Sequence, residues 1–256
     1  MTQTPKISVI VPAYKTAPYI SACLDSILAQ TFTDIEIICI NDGSPDDALK
    51  IFQRYARRDK RIRVMTQKNQ GIVYARNNAI AAARGKYIFP IDSDDMIAPN
   101  CLETLYKIIT TTDYDIVSPA GIQFGERNRM WKLPKICRFN MYGGRNGIHN
   151  SSLFPRELWK KYGGYCRELN SLCLEDYDFW LCFMDDNRRA VRTEMPLFFY
   201  RIKPTDQSRN MAHPEYGKIA GQIIRRRHPR VAFYKKIIWM QNPFQAIRHA
   251  IRKKKK

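Results

Sequence analysis

The fold of this chain is indicated by the stretch KYIFPIDSDD, residues 86–95, in which a short apolar run is followed by three acidic residues. Short apolar runs of similar length also occur at Ile7–Val11, Ile35–Ile40 and Ile62–Met65. Between them, apolar residues recur at helical spacing at Tyr19–Leu28, Asp46–Tyr55 and Ile72–Ala83. Alternating strands and helices predict right-handed crossovers, and therefore an α/β fold with a mainly parallel sheet and helices on both faces.

The composition is that of an ordinary globular protein with one large or two small domains. The chain has 256 residues, 45% of them hydrophobic and 26% charged, which excludes wholly disordered and collagen-like proteins. No apolar run approaches the roughly 18–20 residues that a membrane-spanning helix needs. The run after Lys6 is too short for a secretory signal, so we expect a cytoplasmic location.

The cysteines indicate a reducing environment. There are seven of them, an odd number, and none lies in a Cys-x-x-Cys pair. In a chain of this length, that argues against a disulfide framework and against a structural zinc site. We therefore expect reduced, partly buried thiols.

Polar residues follow the predicted strands at the edge where parallel sheets bind ligands. Pro12 and Tyr14 follow the first strand, Asp42 follows the second, and DSDD at 92–95 follows the fourth. Carboxylates at this spacing suit Mg²⁺ or Mn²⁺ when phosphates complete the coordination shell, and Asp42 can accept a hydrogen bond from a base or ribose. By itself, the acidic stretch favours an exposed turn that caps the next helix. A dinucleotide or Walker-type phosphate loop is absent after the first strand.

Several short motifs together resemble the family 2 glycosyltransferases. They are ISVIVPAY at 7–14, SILAQT at 26–31, NDGS at 41–44, NQG at 69–71, ARN at 75–77 and DSDD at 92–95. The resemblance implies a glycosyltransferase A-type, Rossmann-like fold, a nucleotide-sugar donor and a divalent metal, Mn²⁺ or Mg²⁺. Asn41 and Lys15 depart from the family, which often has Asp and Asn at these positions.

The same resemblance implies roles for individual residues. Four residues would line the nucleoside pocket: Pro12, Tyr14, Asp42 and Asn69. Arg76 and Asp92 would flank the ribose and diphosphate, and Asp94 would ligate the metal together with Asp92.

The second half of the chain resembles the acceptor half of the same family. The motifs are SSLFPREL at 151–158, YGGY at 162–165 and LEDYDFWL at 174–181. The residues alone indicate carboxylates in the first turn of a helix, where the helix dipole stabilises them. The resemblance adds catalysis: Asp176 would be the general base and Glu175 its neighbour.

Three further residues are candidate contacts to phosphate, acceptor or metal. FFYR at 198–201 and the following Gln207 and Ser208 resemble a family segment that closes over the donor phosphates, which makes Arg201 and Ser208 candidates. His149 precedes SSLFPREL and either contacts the acceptor or metal, or is structural.

The C-terminal segment carries most of the excess positive charge. From Arg201 onward there are 16 basic residues and only two acidic ones, Asp206 and Glu215. An apolar stripe runs through Phe233, Tyr234, Ile237, Ile238 and Met240, and Asn242-Pro243 restarts a helix. A basic amphipathic helix predicts contact with an anionic membrane at the inner face of the cell. The stripe could instead pack on the protein body; nucleic acid is not the expected partner.

We therefore divide the chain into a nucleotide-sugar half (1–100), an acceptor and catalytic half (101–212) and a basic helical tail (213–256). The predicted activity is inverting, metal-dependent transfer of a sugar, expected from UDP-sugar, to a glycan or lipid-linked glycan in lipopolysaccharide or capsule synthesis. One alternative is a nucleotidyltransferase, which also uses strand-end acids and a metal. Another is a catalytically silent homologue that binds membrane or RNA.

Overall fold

We describe residues 4–204 and 214–240 from a computed structural model. The predicted alternation is present as β1 (Ile7–Ala13), α1 (Ala17–Leu28), β2 (Ile35–Asp42), α2 (Ala48–Ala56), β3 (Ile62–Gln67), α3 (Ile72–Ala81) and β4 (Tyr87–Pro90). The chain continues with β5 (Met96–Ile97), α4 (Cys101–Thr111), β6 (Ile116–Gly125), β7 (Arg129–Met130), α5 (Arg138–Tyr142), β8 (Phe154–Pro155), α6 (Arg156–Lys161), a 3-10 turn (Arg167–Leu169), α7 (Glu175–Asp185) and β9 (Ala190–Ile202). Helices α8 (Pro214–Arg227) and α9 (Pro229–Met240) follow.

The main sheet has five strands in the order β3-β2-β1-β4-β8. Strands β1 to β4 are parallel, and only the short β8 pairs in the opposite direction. Every residue of β1 and β2 is buried, which is typical of parallel strands that carry helices on both faces. The predicted α/β fold with a mainly parallel sheet is confirmed.

A second sheet of four strands, ordered β5-β9-β6-β7, lies beside the first. A bridge between Val117 of β6 and Leu153 joins the two. Strand β5 directly follows the acidic stretch 92–95 and pairs with β9. This pairing brings the end of β9 next to the acidic stretch, although more than 100 residues separate them.

Two apolar clusters cover the two faces of the main sheet. Side chains alternate along a strand, so Ile10 of β1 faces one cluster while Val9 faces the other. The first cluster also holds Trp180 of α7 and Ala220 of α8. Since residues from all three predicted segments share this cluster, the division at residues 100 and 212 stays a prediction.

The C-terminal helices pack on the body of the protein. Ala220, Ile224 and Val231 are buried against the cluster that contains α7. These three residues lie outside the predicted stripe; of the stripe itself, Tyr234 packs against the same cluster. Phe233, from the predicted stripe, remains 62% exposed. The helix expected after Asn242 lies outside the described residues.

A buried ion-pair cluster fixes the C-terminal helices to α7. His228 Nε2 lies 3.1 Å from Asp178 Oδ1, and its Nδ1 lies 2.6 Å from Asp185 Oδ2. Arg227 Nε donates to the same Asp178 oxygen at 2.9 Å. Burial by itself lowers the pKa of His228, but the bonds to Asp178 and Asp185 outweigh it and raise the pKa to about 11. Breaking a buried pair of this kind costs about 3–5 kcal/mol.

The thiols agree with the prediction of a reduced protein. All seven cysteines are free, and five of them are buried. No helix in the ranges 4–204 and 214–240 is both long enough and apolar enough to cross a bilayer.

Candidate active site

A cleft of about 630 Å³ opens where β1, β2 and β4 end. Ten predicted site residues line it: Pro12, Tyr14, Asp42, Asn69, Arg76, Asp92, Asp94, His149, Glu175 and Asp176. Arg201 is not among the lining residues, and Ser208 lies outside the described part of the chain. The acids after β4 and the acids of α7 therefore face one shared cavity.

Asp42, the last residue of β2, organises one end of the cleft, which we call the nucleoside end after its predicted role. Its Oδ1 accepts hydrogen bonds from Gln67 Nε2 at 2.7 Å and from the Gln70 N–H at 2.9 Å. Its Oδ2 accepts the Gly71 N–H at 2.8 Å, and the amide of Asn69 donates to the Asp42 carbonyl at 3.0 Å. Because a carboxylate accepts about four hydrogen bonds, Asp42 can hold this loop and still accept one bond from a ligand.

The acidic stretch after β4 folds into a turn, which we call the acid loop (residues 92–95). The Asp95 N–H donates to the Asp92 carbonyl at 3.0 Å, and Asp95 Oδ1 accepts the backbone N–H of Arg201 at 2.8 Å. Burial, and then the charges of Asp94 and Asp92, raise the pKa of Asp95 well above its usual range. Asp95 therefore supports the loop, and Asp92 and Asp94 are the acids open to ligands.

Two basic residues contact the acid loop: Arg201, near the end of β9, and Lys203, just after β9. Arg201 Nε donates to the Asp94 carbonyl at 2.7 Å, and its guanidinium lies over the rings of Tyr19 and Phe124. Arg201, predicted to contact phosphate or acceptor, is thus placed as a support of the loop. Lys203 Nζ lies 2.5 Å from Asp94 Oδ2, a contact that no sequence spacing indicated.

The donor set of the acid loop fits a hard divalent cation. The Asp94 carboxylate already takes a cationic partner, and Asp92 supplies a second carboxylate in the same cleft. Mg²⁺ and Mn²⁺ are bound by one or two carboxylates plus substrate phosphates, so a closed cage is not needed. Within the described ranges, a group of three side chains of the kinds that bind metals, Asp178, Cys182 and His228, also lies close together. There the ion pair of Arg227 with Asp178 already supplies positive charge.

Arg76 of α3 joins the two acidic parts of the cleft. Its Nη1 donates to Glu175 Oε1 and its Nη2 to Asp92 Oδ1, each at 2.7 Å. The residue is only 3% exposed, so these are desolvated, charge-assisted bonds of the stronger kind. One guanidinium thus sets the position of the acid loop relative to the start of α7.

The start of α7 carries the candidate base. Glu175, Asp176 and Asp178 all lie in its first turn, as predicted. Asp176 Oδ1 accepts the Tyr177 N–H at 2.7 Å, and Asn146 Nδ2 lies 3.5 Å from its Oδ2. Burial, and then the charge of Glu175, raise the pKa of Asp176 to about 7. A carboxyl group with this pKa is suited to accept a proton near neutral pH.

Comparison with known proteins identifies the family. The model of the family described as "Glycosyl transferase family 2" matches residues 8–171. The chain belongs to glycosyltransferase family 2. Among its relatives, the glycosyltransferase YibD of Escherichia coli (strain K12) is 32% identical over 225 residues, or 82% of this chain and 65% of the relative. The chondroitin synthase of Escherichia coli is 42% identical over 191 residues, or 71% of this chain and 27% of the relative. This glycosyltransferase therefore spans less than two thirds of either relative.

Solved structures show the same fold. S. aureus TarS matches with a TM-score of 0.70 at 22% identity, over 87% of this chain and 65% of that one. The TarS complex with UDP-GlcNAc has a TM-score of 0.68 at 23% identity, over 78% of this chain and 60% of that one. The mannosyltransferase PcManGT from Pyrobaculum calidifontis, in complex with GDP-Man and Mn²⁺, has a TM-score of 0.64 at 17% identity. The match covers 91% of this chain and 74% of that one. The predicted glycosyltransferase A-type fold is confirmed.

An aromatic wall, which the sequence did not indicate, lines part of the cleft of this glycosyltransferase. His149 stacks on Phe198 with ring centroids 4.6 Å apart, and Trp131 stacks on Tyr200 at 4.8 Å. His149 Nε2 lies 2.8 Å from the Pro119 carbonyl, and burial lowers the pKa of His149 to about 4. His149 is therefore a neutral member of this wall.

The loop that leads into α7 holds an unusual backbone. Ser171, Cys173 and Leu174 have φ values of 67°, 81° and 63°. Residues other than glycine rarely adopt this left-handed backbone conformation, and each one that does costs about 1–3 kcal/mol of folding free energy. All three line the cleft. Glycine, the usual sequence signal of a positive φ, is absent from these positions, so the sequence did not predict this conformation.

Gly71, in the loop held by Asp42, is a glycine that the geometry requires. Its φ is 92° and its ψ is 167°, a region that essentially only glycine adopts. A Cβ added there would lie 2.5 Å from Asn170 Oδ1. The Asn170 amide in turn donates to the Gln70 carbonyl at 2.6 Å, so the clash would disturb the nucleoside end of the cleft.

We expect Gly71→Ala to weaken nucleotide binding about tenfold or more, equivalent to about 1.4 kcal/mol, because the Asp42-held loop must shift. Calorimetric titration with UDP measures the effect. Gly163→Ala is the matched control, since Gly163 has a φ of 74° but nothing within 4 Å of an added Cβ. Equal UDP affinity in the two variants would contradict the role given to this loop.

Proposed function

We propose that this glycosyltransferase moves a sugar from a UDP-sugar to a hydroxyl of a glycan or lipid-linked glycan. The setting would be synthesis of a cell-surface polysaccharide such as lipopolysaccharide or capsule. Two similarities support the substrates: TarS is known in complex with UDP-GlcNAc, and a relative is a chondroitin synthase. The donor and acceptor of this chain remain proposals because it spans only part of these proteins.

The observation that carries the proposal is the Arg76 bridge. Through Asp92 and Glu175 it holds two separate acidic groups, the acid loop and the start of α7, in fixed positions at one cleft. Sugar transfer needs this division, since negative charge grows on the leaving diphosphate while a proton leaves the attacking hydroxyl on the other side of the sugar.

On the donor side, Pro12, Tyr14, Asp42 and Asn69 would enclose the nucleoside. Asp94 and Asp92 would hold the divalent cation, which when bound offsets the charge of the leaving diphosphate. A supporting case is PcManGT, which is known in complex with GDP-Man and Mn²⁺. Arg76 would keep Asp92 oriented toward the diphosphate.

On the acceptor side, Asp176 would take the proton from the attacking hydroxyl. Its pKa of about 7 means that a large share is ionised at neutral pH and yet basic enough to accept the proton. Glu175, held by Arg76, would keep the neighbouring negative charge in place. A single displacement inverts the anomeric centre and requires no covalent enzyme intermediate.

The decisive experiment is incubation of the protein with a panel of UDP-sugars and Mn²⁺, with separate assays for UDP and for pyrophosphate. We expect UDP release that requires Mn²⁺, with UDP-GlcNAc as the first donor to test. In a parallel incubation that offers UTP and a sugar 1-phosphate in place of the UDP-sugar, pyrophosphate release would indicate a nucleotidyltransferase instead. No turnover of any UDP-sugar, with intact folding, would indicate a catalytically silent homologue.

We also propose that the tail, residues 213–256, contacts an anionic membrane from the cytoplasmic side. Support comes from the absence of carboxylates after Glu215 and from the exposed side chains of Phe233 and Ile219. Since Ala220, Ile224 and Val231 are buried in the body, deletion of the whole tail would damage the fold.

A sharper test of membrane contact is Phe233→Glu, which changes one exposed side chain and adds a negative charge. We expect weaker sedimentation with phosphatidylglycerol vesicles and unchanged thermal stability. Met195→Glu, the same kind of change at an exposed apolar side chain outside the tail, is the control. Unchanged vesicle binding of the Phe233 variant would contradict membrane contact through this helix.

A further inference from the structure

A second cavity lies beside the start of α7, separate from the cleft. It has a volume of about 400 Å³ and is enclosed by α8, α9 and the loop before Ile148. Gly144 and Asn146 line it from that loop, and Leu174 lines it from the loop before α7. We call this cavity the cationic pocket because of the side chains that reach it from the two C-terminal helices.

Three cations and no carboxylate line the cationic pocket. Lys218 and Arg225 lie seven residues apart on one face of α8, and Lys235 comes from α9. None of the three forms an ion pair within the described part of the chain. Neighbouring arginines differ in this respect, since Arg226 pairs with Glu168 and Arg227 with Asp178.

The backbone around the cationic pocket leaves room for a ligand. Gly217 and Gly221 lie on the face of α8 that lines it, and nothing lies within 4 Å of a Cβ added at Gly217. The Lys235 side chain lies next to Gly144, since a Cβ added to Gly144 would lie 3.3 Å from Lys235 Cε. Burial, and then repulsion from Arg225, lower the pKa of Lys235. An anion bound here would relieve that repulsion.

The cationic pocket adjoins the candidate base. Leu174 lines both the pocket and the cleft, and Asp176 follows it by two residues. Asn146 lines the pocket, and its amide lies 3.5 Å from Asp176 Oδ2. If one group of a ligand is held in the pocket, the next atoms of that ligand would therefore lie beside Asp176, where we propose that the acceptor binds.

We propose that the cationic pocket binds a phosphate group of the acceptor and so presents an acceptor hydroxyl to Asp176. The inference rests on the proposed function and narrows the acceptor to a phosphate-bearing glycan or glycolipid. A phosphate dianion suits the site, because two ammonium groups and a guanidinium can each make charge-assisted bonds to its oxygens.

The test is calorimetric titration of inorganic pyrophosphate into the full chain with the cleft saturated by UDP. We expect binding by the unmodified protein and affinity at least about tenfold weaker in the double variant Lys218→Ala/Lys235→Ala, since charge-assisted bonds contribute about 1.5–3 kcal/mol each. Lys236→Ala, next along α9 but not lining the pocket, is the matched control and should bind normally. Equal affinity in all three proteins, or no binding by any, would overturn the proposal.

A vesicle assay assigns the source of the phosphate. If it belongs to a lipid headgroup, the double variant also loses binding to phosphatidylglycerol vesicles relative to Lys236→Ala. If it belongs to a water-soluble glycan phosphate, the two variants bind vesicles equally. Either result, given weakened pyrophosphate binding, supports the site.

UDP-sugar hydrolysis, measured in the same proteins, separates this proposal from the proposed function. We expect the double variant to hydrolyse donor at the normal rate, because Lys218 and Lys235 lie outside the cleft. Absence of hydrolysis in every protein would reject the transferase function but leave the pyrophosphate result to decide the pocket.

Discussion

Replacing Asp176 by asparagine is expected to lower the rate of sugar transfer about 10²–10⁴-fold, the usual contribution of a general base. Donor affinity should be unchanged, because the proposed place of Asp176 is on the acceptor side of the cleft and asparagine has nearly the same shape. Transfer kinetics and UDP titration measure the two effects separately. Full transfer activity in this variant would reject Asp176 as the base.

The pH dependence provides an independent readout of the same group. Asp176 must be ionised to accept a proton, and its pKa is raised to about 7. The transfer rate should therefore rise about tenfold per pH unit below that value and level off above it. In Asp176→Asn this limb should disappear. The matched control is Asp47→Asn, the same change at the exposed start of α2, which should leave both rate and profile intact.

Replacing Asp94 by alanine is expected to lower donor turnover about 100-fold or more, since a bound cation contributes several kcal/mol to stabilising the leaving group. Asp94 is the acid-loop carboxylate in contact with Lys203, and its loss removes a proposed ligand of the cation together with this contact. Hydrolysis of UDP-sugar as a function of Mn²⁺ concentration measures the effect.

A binding readout distinguishes loss of the cation from loss of folding. In the unmodified protein, Mn²⁺ with UDP should raise the melting temperature by mass action, and in Asp94→Ala the Mn²⁺-dependent part should vanish. Asp113→Ala is the control, since Asp113 also pairs with a basic residue, Arg189, but at the exposed surface. An unchanged Mn²⁺ response in Asp94→Ala would reject Asp94 as a ligand.

Local sequence patterns were enough to predict the framework of the fold. Apolar residues recur every two positions in strands and every three to four in helices, so Ile7–Ala13 and Ala17–Leu28 lie close to their predicted places. The acid loop follows β4, and Asp176 lies in the first turn of α7, for the same local reason.

The sequence also left questions that tertiary contacts answer. The apolar stripe of the tail has the same periodicity whether it faces a membrane or the protein body. Burial of Ala220, Ile224 and Val231 shows that α8 and α9 pack on the body, whereas Phe233 of the stripe stays exposed, so membrane contact stays a prediction. The contact of Arg201 with the acid loop was not predicted, and its expected contact with phosphate or acceptor stays a prediction.

The sequence by itself determined the order of strands and helices and the placement of acids at their ends, because both depend on neighbours a few residues apart. Only the tertiary structure decided which distant groups meet: Arg76 with Glu175, Lys203 with Asp94, and the cations of α8 and α9 around one pocket. It also set the raised pKa of Asp176, since burial and the nearby Glu175 act through space. Residues about 100 positions apart leave no period in a sequence, and desolvation exists only once the chain has folded.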